Sequence, residues 1–196
     1  MMGPGVIVPV GVAVALGGFI ALQRSRGAAP GADVRRLIRI ADRDDIPRGK
    51  EAIRALGRTQ SDQALAWLLE RTSGARSGSD WRSSAGLLAL GEMSHPRGVE
   101  WLLKVVASGS VANDSAIPAL DLVRGDAAVP ALLSAALESD DYHCVKYAVR
   151  TLERLGTTAA VAALADFRAR PARTVIRREL ETGRIPESTT VFGQRG

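Results

Sequence analysis

The chain has 196 residues, 46% hydrophobic and 24% charged, which places it among globular rather than disordered proteins and gives it enough length for one domain with a real core. Its single cysteine, Cys144, excludes an internal disulfide framework and a Cys-rich zinc site. Net charge is +5, and only Lys50, Lys104 and Lys146 are lysines, an Arg bias that with abundant Ala and Gly points to a GC-rich bacterial coding origin and carries no chemistry.

Residues 1–22, MMGPGVIVPVGVAVALGGFIAL, contain no charged side chain. A helix of about 20 apolar residues crosses a ~30 Å hydrocarbon core, so residues 1–23 are expected to form a transmembrane anchor. A secretory signal peptide is the rival reading, but it expects basic residues before the apolar core. Here they follow it, in QRSRG and then at Arg35, Arg36 and Arg39. The positive-inside rule then puts the rest of the chain in the cytoplasm. Residues 24–33 read as a basic linker, and Arg24, Arg26, Arg35, Arg36 and Arg39 as contacts to anionic headgroups. Ala13, Gly17 and Ala21 lie on one helical line, which would permit pairing of two copies in the membrane.

Beyond the linker the sequence echoes itself. ALGRTQSDQALAWLL at 55–69 returns as ALGEMSHPRGVEWLL at 89–103. Leu56, Leu90, Leu120 and Leu152 follow at intervals of 34, 30 and 32, with Ala52, Gly86, Ala116 and Ala148 four positions earlier. Leu65, Val99, Val129 and Val161 share a register, as do Leu68, Leu102, Leu132 and Leu164. Periods of this size mark stacked supersecondary units. Apolar residues three and four apart make each unit a pair of helices. Gly57, Gly91 with His95-Pro96, Gly125 and Gly156 are expected to mark the turn inside each unit, the glycines ending the first helix in a left-handed conformation. ADVRRLIRIAD at 32–42, with Val34, Leu37 and Ile38, resembles a lone second helix, and RTVIRRELETG after Pro171 resembles a lone first helix. Both read as charged terminal caps. Residues 184–196 read as a tail.

AGLLALGEMSHPRGVEWLLKVVAS, with its Ala-Leu-Gly, its His-Pro and its following Val-x-x-Leu-Leu, resembles a HEAT repeat of the short bacterial type found in phycobilisome-lyase-like proteins. The resemblance covers residues 34–183, and Asp121 and Glu153 depart from it where Gly would stand. It implies an all-α fold, an α-α superhelix of about four helical hairpins plus capping helices. With the N-terminal segment, the whole is one transmembrane helix followed by a HEAT-like solenoid. The resemblance also implies an interaction surface, while HEAT proteins as a group bind unrelated partners.

Catalytic chemistry finds little foothold in the residues. His95 and His143 stand 48 residues apart, and neither has a second ligand at i+3 or i+4; His143-Cys144 alone is more readily structural than metal-binding. No Gly-rich phosphate loop or nucleophile elbow is present. Asp140 and Asp141 read as a helix cap rather than an acid/base pair. No catalytic residue, metal or cofactor is expected.

Charge and aromatics point instead to a surface. Residues 24–58 hold ten Arg or Lys against five Asp or Glu, and residues 168–184 six against two, whereas residues 59–167 hold nine against thirteen. Acidic repeats disfavour nucleic acid as a partner. Leu65, Leu68, Leu69 and Thr72 fall within a helical sector about 100° wide, and Trp67 lies nearly opposite. Trp101 repeats that position. The two rings either pack sideways between helices or form an exposed aromatic pair, the residue type most enriched at binding hot spots. On the second reading Trp67 and Trp101, flanked by Arg97, Glu70 and Lys104, form the candidate partner-binding site. The resulting expectation is a single-pass, membrane-tethered scaffold that recruits a protein partner through its repeats. The alternative is an enzyme-like HEAT protein of the chromophore lyase or DNA glycosylase type.

Overall fold

A computed structural model of the chain describes residues 30–43, 46–74, 80–110 and 112–170. Among the described residues there are nine α-helices and no strand: α1 Pro30–Arg43, α2 Ile46–Arg58, α3 Asp62–Ser73, α4 Trp81–Met93, α5 Pro96–Ala107, α6 Asn113–Leu122, α7 Val129–Glu138, α8 Tyr142–Leu155 and α9 Thr158–Ala169. A 3-10 turn, Asp126–Ala128, leads into α7.

Local chemistry sets most of the helix starts. The Asp80 side chain accepts from the Arg82 N–H at 3.0 Å, and His95 Nδ1 accepts from the Arg97 N–H at 3.2 Å, with Pro96 in the first turn where its missing N–H costs nothing. Asp141 Oδ1 accepts from the Cys144 N–H at 2.7 Å, as expected of a cap, and Thr157 Oγ1 accepts from the Ala160 N–H at 3.2 Å. Gly156 ends α8 with φ 59°, the left-handed stop expected from sequence.

The helices form two layers. α2, α4, α6 and α8 pack side by side, each against the next, while α1, α3, α5, α7 and α9 do the same in the second layer. Each pair α2/α3, α4/α5, α6/α7 and α8/α9 is one of the repeats read from the sequence. One helix pair cannot bury its own apolar face, and the stack supplies the missing cover. Leu56, Leu90, Leu120 and Leu152 are at most 1% exposed, as are Leu68, Leu102 and Leu132, so the core is one continuous strip between the layers. This repeat-like, all-helical arrangement is compatible with an α-solenoid. α1 joins the second layer beside α3, and its Val34 is 2% exposed.

Two expectations are corrected. The fold was expected to open with a transmembrane helix, but among the described residues no helix is long and apolar enough to cross a membrane. The longest, such as α8 with 14 residues, span about 21 Å at 1.5 Å per residue, short of a ~30 Å hydrocarbon core. Residues 1–23, where that helix was placed, lie outside the described residues, as do Arg24 and Arg26 and the C-terminal segment from residue 171. The single-pass localisation rested on that helix and falls with it.

The second correction concerns the Ala-Leu-Gly glycines. Gly57 and Gly91 do not end their helices; both are buried one or two residues inside the C-terminal turn. A β-carbon on Gly57 would stand 2.6 Å from the Ala89 carbonyl oxygen, and one on Gly91 would collide with that of Ala119. The Gly of one repeat therefore receives the backbone of the Ala of the next, and the motif is kept for close helix approach. The left-handed turns that follow fall on Gln60, φ 51°, and Ser94, φ 55°.

Polar side chains lock neighbouring repeats where helices end. Arg82 Nε donates to the Ala41 carbonyl at 3.1 Å, Gln60 Nε2 to that of Met93 at 2.8 Å, and the Arg154 guanidinium to those of Leu120 and Val123 at 3.1 and 2.7 Å. Ser94 Oγ accepts from the Arg124 N–H at 2.8 Å. The last carbonyls of a helix have no partner within it, so these bonds satisfy them and fix the spacing of the stack together.

Candidate partner-binding face

The second layer presents a row of grooves at its first three helix junctions. Between α1 and α3, Arg35, Ile38, Arg39 and Gln63 line a groove of about 530 Å³. At the C-terminal ends of α3 and α5 a smaller hollow of about 260 Å³ is lined by Thr72, Ser73, Trp101, Lys104, Ser108 and Ser110. Between α5 and α7 a third, of about 480 Å³, has Glu100, Lys104 and Glu138 at its sides and the apolar Leu103 and Ala131 among its lining residues. Arg35, Arg36 and Arg39 are exposed on α1, whereas the exposed acids Glu100 and Glu138 flank the third groove. The row thus passes from basic to acidic along the stack.

Trp67 and Trp101 are both half-buried and packed against the core, so neither is free of the stack nor fully enclosed by it. The Arg71 guanidinium lies 5.3 Å from the Trp67 ring centre and pairs with Asp42 of α1. Both charged groups stay partly exposed, so this contact orients the Arg71 head over the ring for a modest gain. Trp101 lines the middle hollow, and its indole Nε1 is buried with no hydrogen-bond partner among the described residues. Lys104, one turn further along α5, borders both the middle and the third groove. Glu70 and Arg97 are exposed near the end of α3 and the start of α5. The geometry therefore brings Trp101 and Lys104 into one hollow, while Trp67, Glu70 and Arg97 line none of the three grooves.

One aromatic escaped the sequence reading. Trp81 opens α4 in the first layer, where its ring fills the space left by the missing side chain of Gly49 and the Arg82 guanidinium lies 4.5 Å from its centre. With Lys50, Arg54, Leu88 and Glu92 it lines a groove of about 400 Å³ between α2 and α4. No repeat echoes an aromatic there: the equivalent positions hold Pro47, Val111 and His143. Only the pairing of Trp81 with a helical glycine 32 residues earlier could have signalled it.

His143 is exposed and meets the Tyr142 ring edge-on at 5.5 Å, while Cys144 beside it is buried. Burial pushes the Cys144 thiol above its ordinary pKa; Asp141 adds to the shift and a hydrogen bond with Ser139 opposes it. A thiol held neutral is a poor nucleophile. Among the described residues no group of three or more His, Cys, Asp and Glu could hold a metal ion. No family model, curated protein or solved structure matches the chain.

Proposed function

We propose that the chain is a HEAT-like scaffold that binds a protein partner along the grooved face of its second layer, with Trp101 and Lys104 at the centre of the contact. The observation that carries this reading is the row of three neighbouring grooves whose middle member holds a half-buried tryptophan. Concave apolar hollows with an aromatic wall are where binding energy concentrates, because a ring already held by the core loses little entropy on contact. The basic and acidic ends of the row would set the direction in which a partner segment lies and speed its encounter more than they would tighten it. Trp67 and Glu70 on α3 and Arg97 at the start of α5 would form the rim.

The experiment is affinity capture with the intact chain beside a Trp101→Ala, Lys104→Glu variant whose melting curve confirms folding. Proteins retained by the first and lost by the second support this reading. Identical sets of retained proteins from both would overturn it.

A further inference from the structure

The last described hairpin bears an apolar surface that every earlier hairpin has covered. Leu65, Val99 and Val129 are 2%, 0% and 6% exposed, yet Val161, in the same register on α9, is 57% exposed. The cover in the earlier repeats comes from the following hairpin: Leu65 Cδ1 lies 3.7 Å from where a β-carbon on Gly98 of α5 would stand. The first layer repeats the pattern. Met93 and Val123 are 2% and 0% exposed, whereas the equivalent Leu155 on α8 is only half-buried. The α8–α9 edge is thus shaped to receive one more first-layer element.

We propose that residues 172–183 of the same chain occupy this edge, with Val175, Ile176 and Leu180 covering Val161 and Leu155. Pro171 follows directly on Arg170, the last described residue, and lacks the N–H that a longer α9 would need, which makes it a natural break before a further element. Leu180 stands 28 residues after Leu152, close to the earlier intervals of 34, 30 and 32, and Ile176 takes the position four residues before it that Ala52, Gly86, Ala116 and Ala148 hold.

The test is proximity in the full chain. Val161→Cys and Ile176→Cys, combined in a Cys144→Ala background, should be bridged by a short bis-maleimide into a monomer of altered mobility, with a yield independent of protein concentration. Bridging only between copies, rising with concentration, would mean that a second molecule takes the edge and would overturn the proposal. Absence of any bridge would overturn it too. Independently, Leu180→Asp in the otherwise native chain should lower amide-exchange protection in α9 by about tenfold or more, a change of ~1.4 kcal/mol, and leave α2 and α4 as they were. Unchanged protection in α9 contradicts the proposal.

Discussion

Gly91 of α4 and Ala119 of α6 meet backbone to backbone: a β-carbon on Gly91 would stand 2.7 Å from the Ala119 carbonyl carbon. In an ordinary helix interior Gly→Ala gains about 1 kcal/mol, so the sign of the effect reports the contact. Gly91→Ala should instead cost about 1–3 kcal/mol, the usual range for overpacking, read by denaturant unfolding. Gly74→Ala is the control, since nothing lies within 4 Å of a β-carbon there. It should shift stability by less than about 0.5 kcal/mol.

Leu102 on α5 is fully buried in the strip between the layers. Leu102→Ala should cost about 2–5 kcal/mol. A loss under about 1 kcal/mol would mean that the repeats do not share a continuous core.

The half-buried tryptophans should divide their effects between folding and binding. A fully buried ring costs about 3–5 kcal/mol on truncation, and partial exposure places Trp67→Ala and Trp101→Ala below that range. Against the captured partner, Trp101→Ala should weaken binding about thirtyfold, or ~2 kcal/mol. Trp67→Ala should weaken it less, because Trp67 lines none of the grooves. Isothermal titration beside a thermal melt separates the two effects.

Cys144 makes stability depend on pH at the alkaline end. Its folded pKa is raised, chiefly by burial, so the unfolded chain loses its proton first, from about pH 8.5 upward. Above that point the folded state binds more protons than the unfolded one, and stability falls as pH rises toward the folded pKa. Cys144→Ala should remove this alkaline loss. Iodoacetamide should modify the native thiol far more slowly than the unfolded one, as mass spectrometry would record.

Repeat register was legible because a stacked core imposes one apolar position per turn on every unit. Leu56, Leu90, Leu120 and Leu152 satisfy that demand without exception. The role of Gly57 and Gly91 was not legible: a glycine near a helix end signals a left-handed stop as readily as a close approach, and only the position of Ala89 and Ala119 across the layer decides between them. Gly156, with the same local signal, is a stop. For the candidate face, the echo of Trp67 at Trp101 was visible, but a helical wheel with one neighbour cannot show that these rings lean on adjoining helices. The grooves themselves belong to pairs of helices distant in sequence and had no local signature.

Where Gly57 and Gly91 stand in the first repeats, the third carries Asp121, which reaches toward Arg150 at 3.7 Å, and α6 touches α8 far less than α2 touches α4. The coupling there passes instead through the Arg154 guanidinium, held by the Leu120 and Val123 carbonyls. A stack built this way has unequal stiffness along its length. Tension applied across it from Trp81 to Phe167 would be taken up first at the α6–α8 junction, where the side chains of Arg154, Arg150 and Asp121 span the gap that two backbones close at α2–α4 and α4–α6.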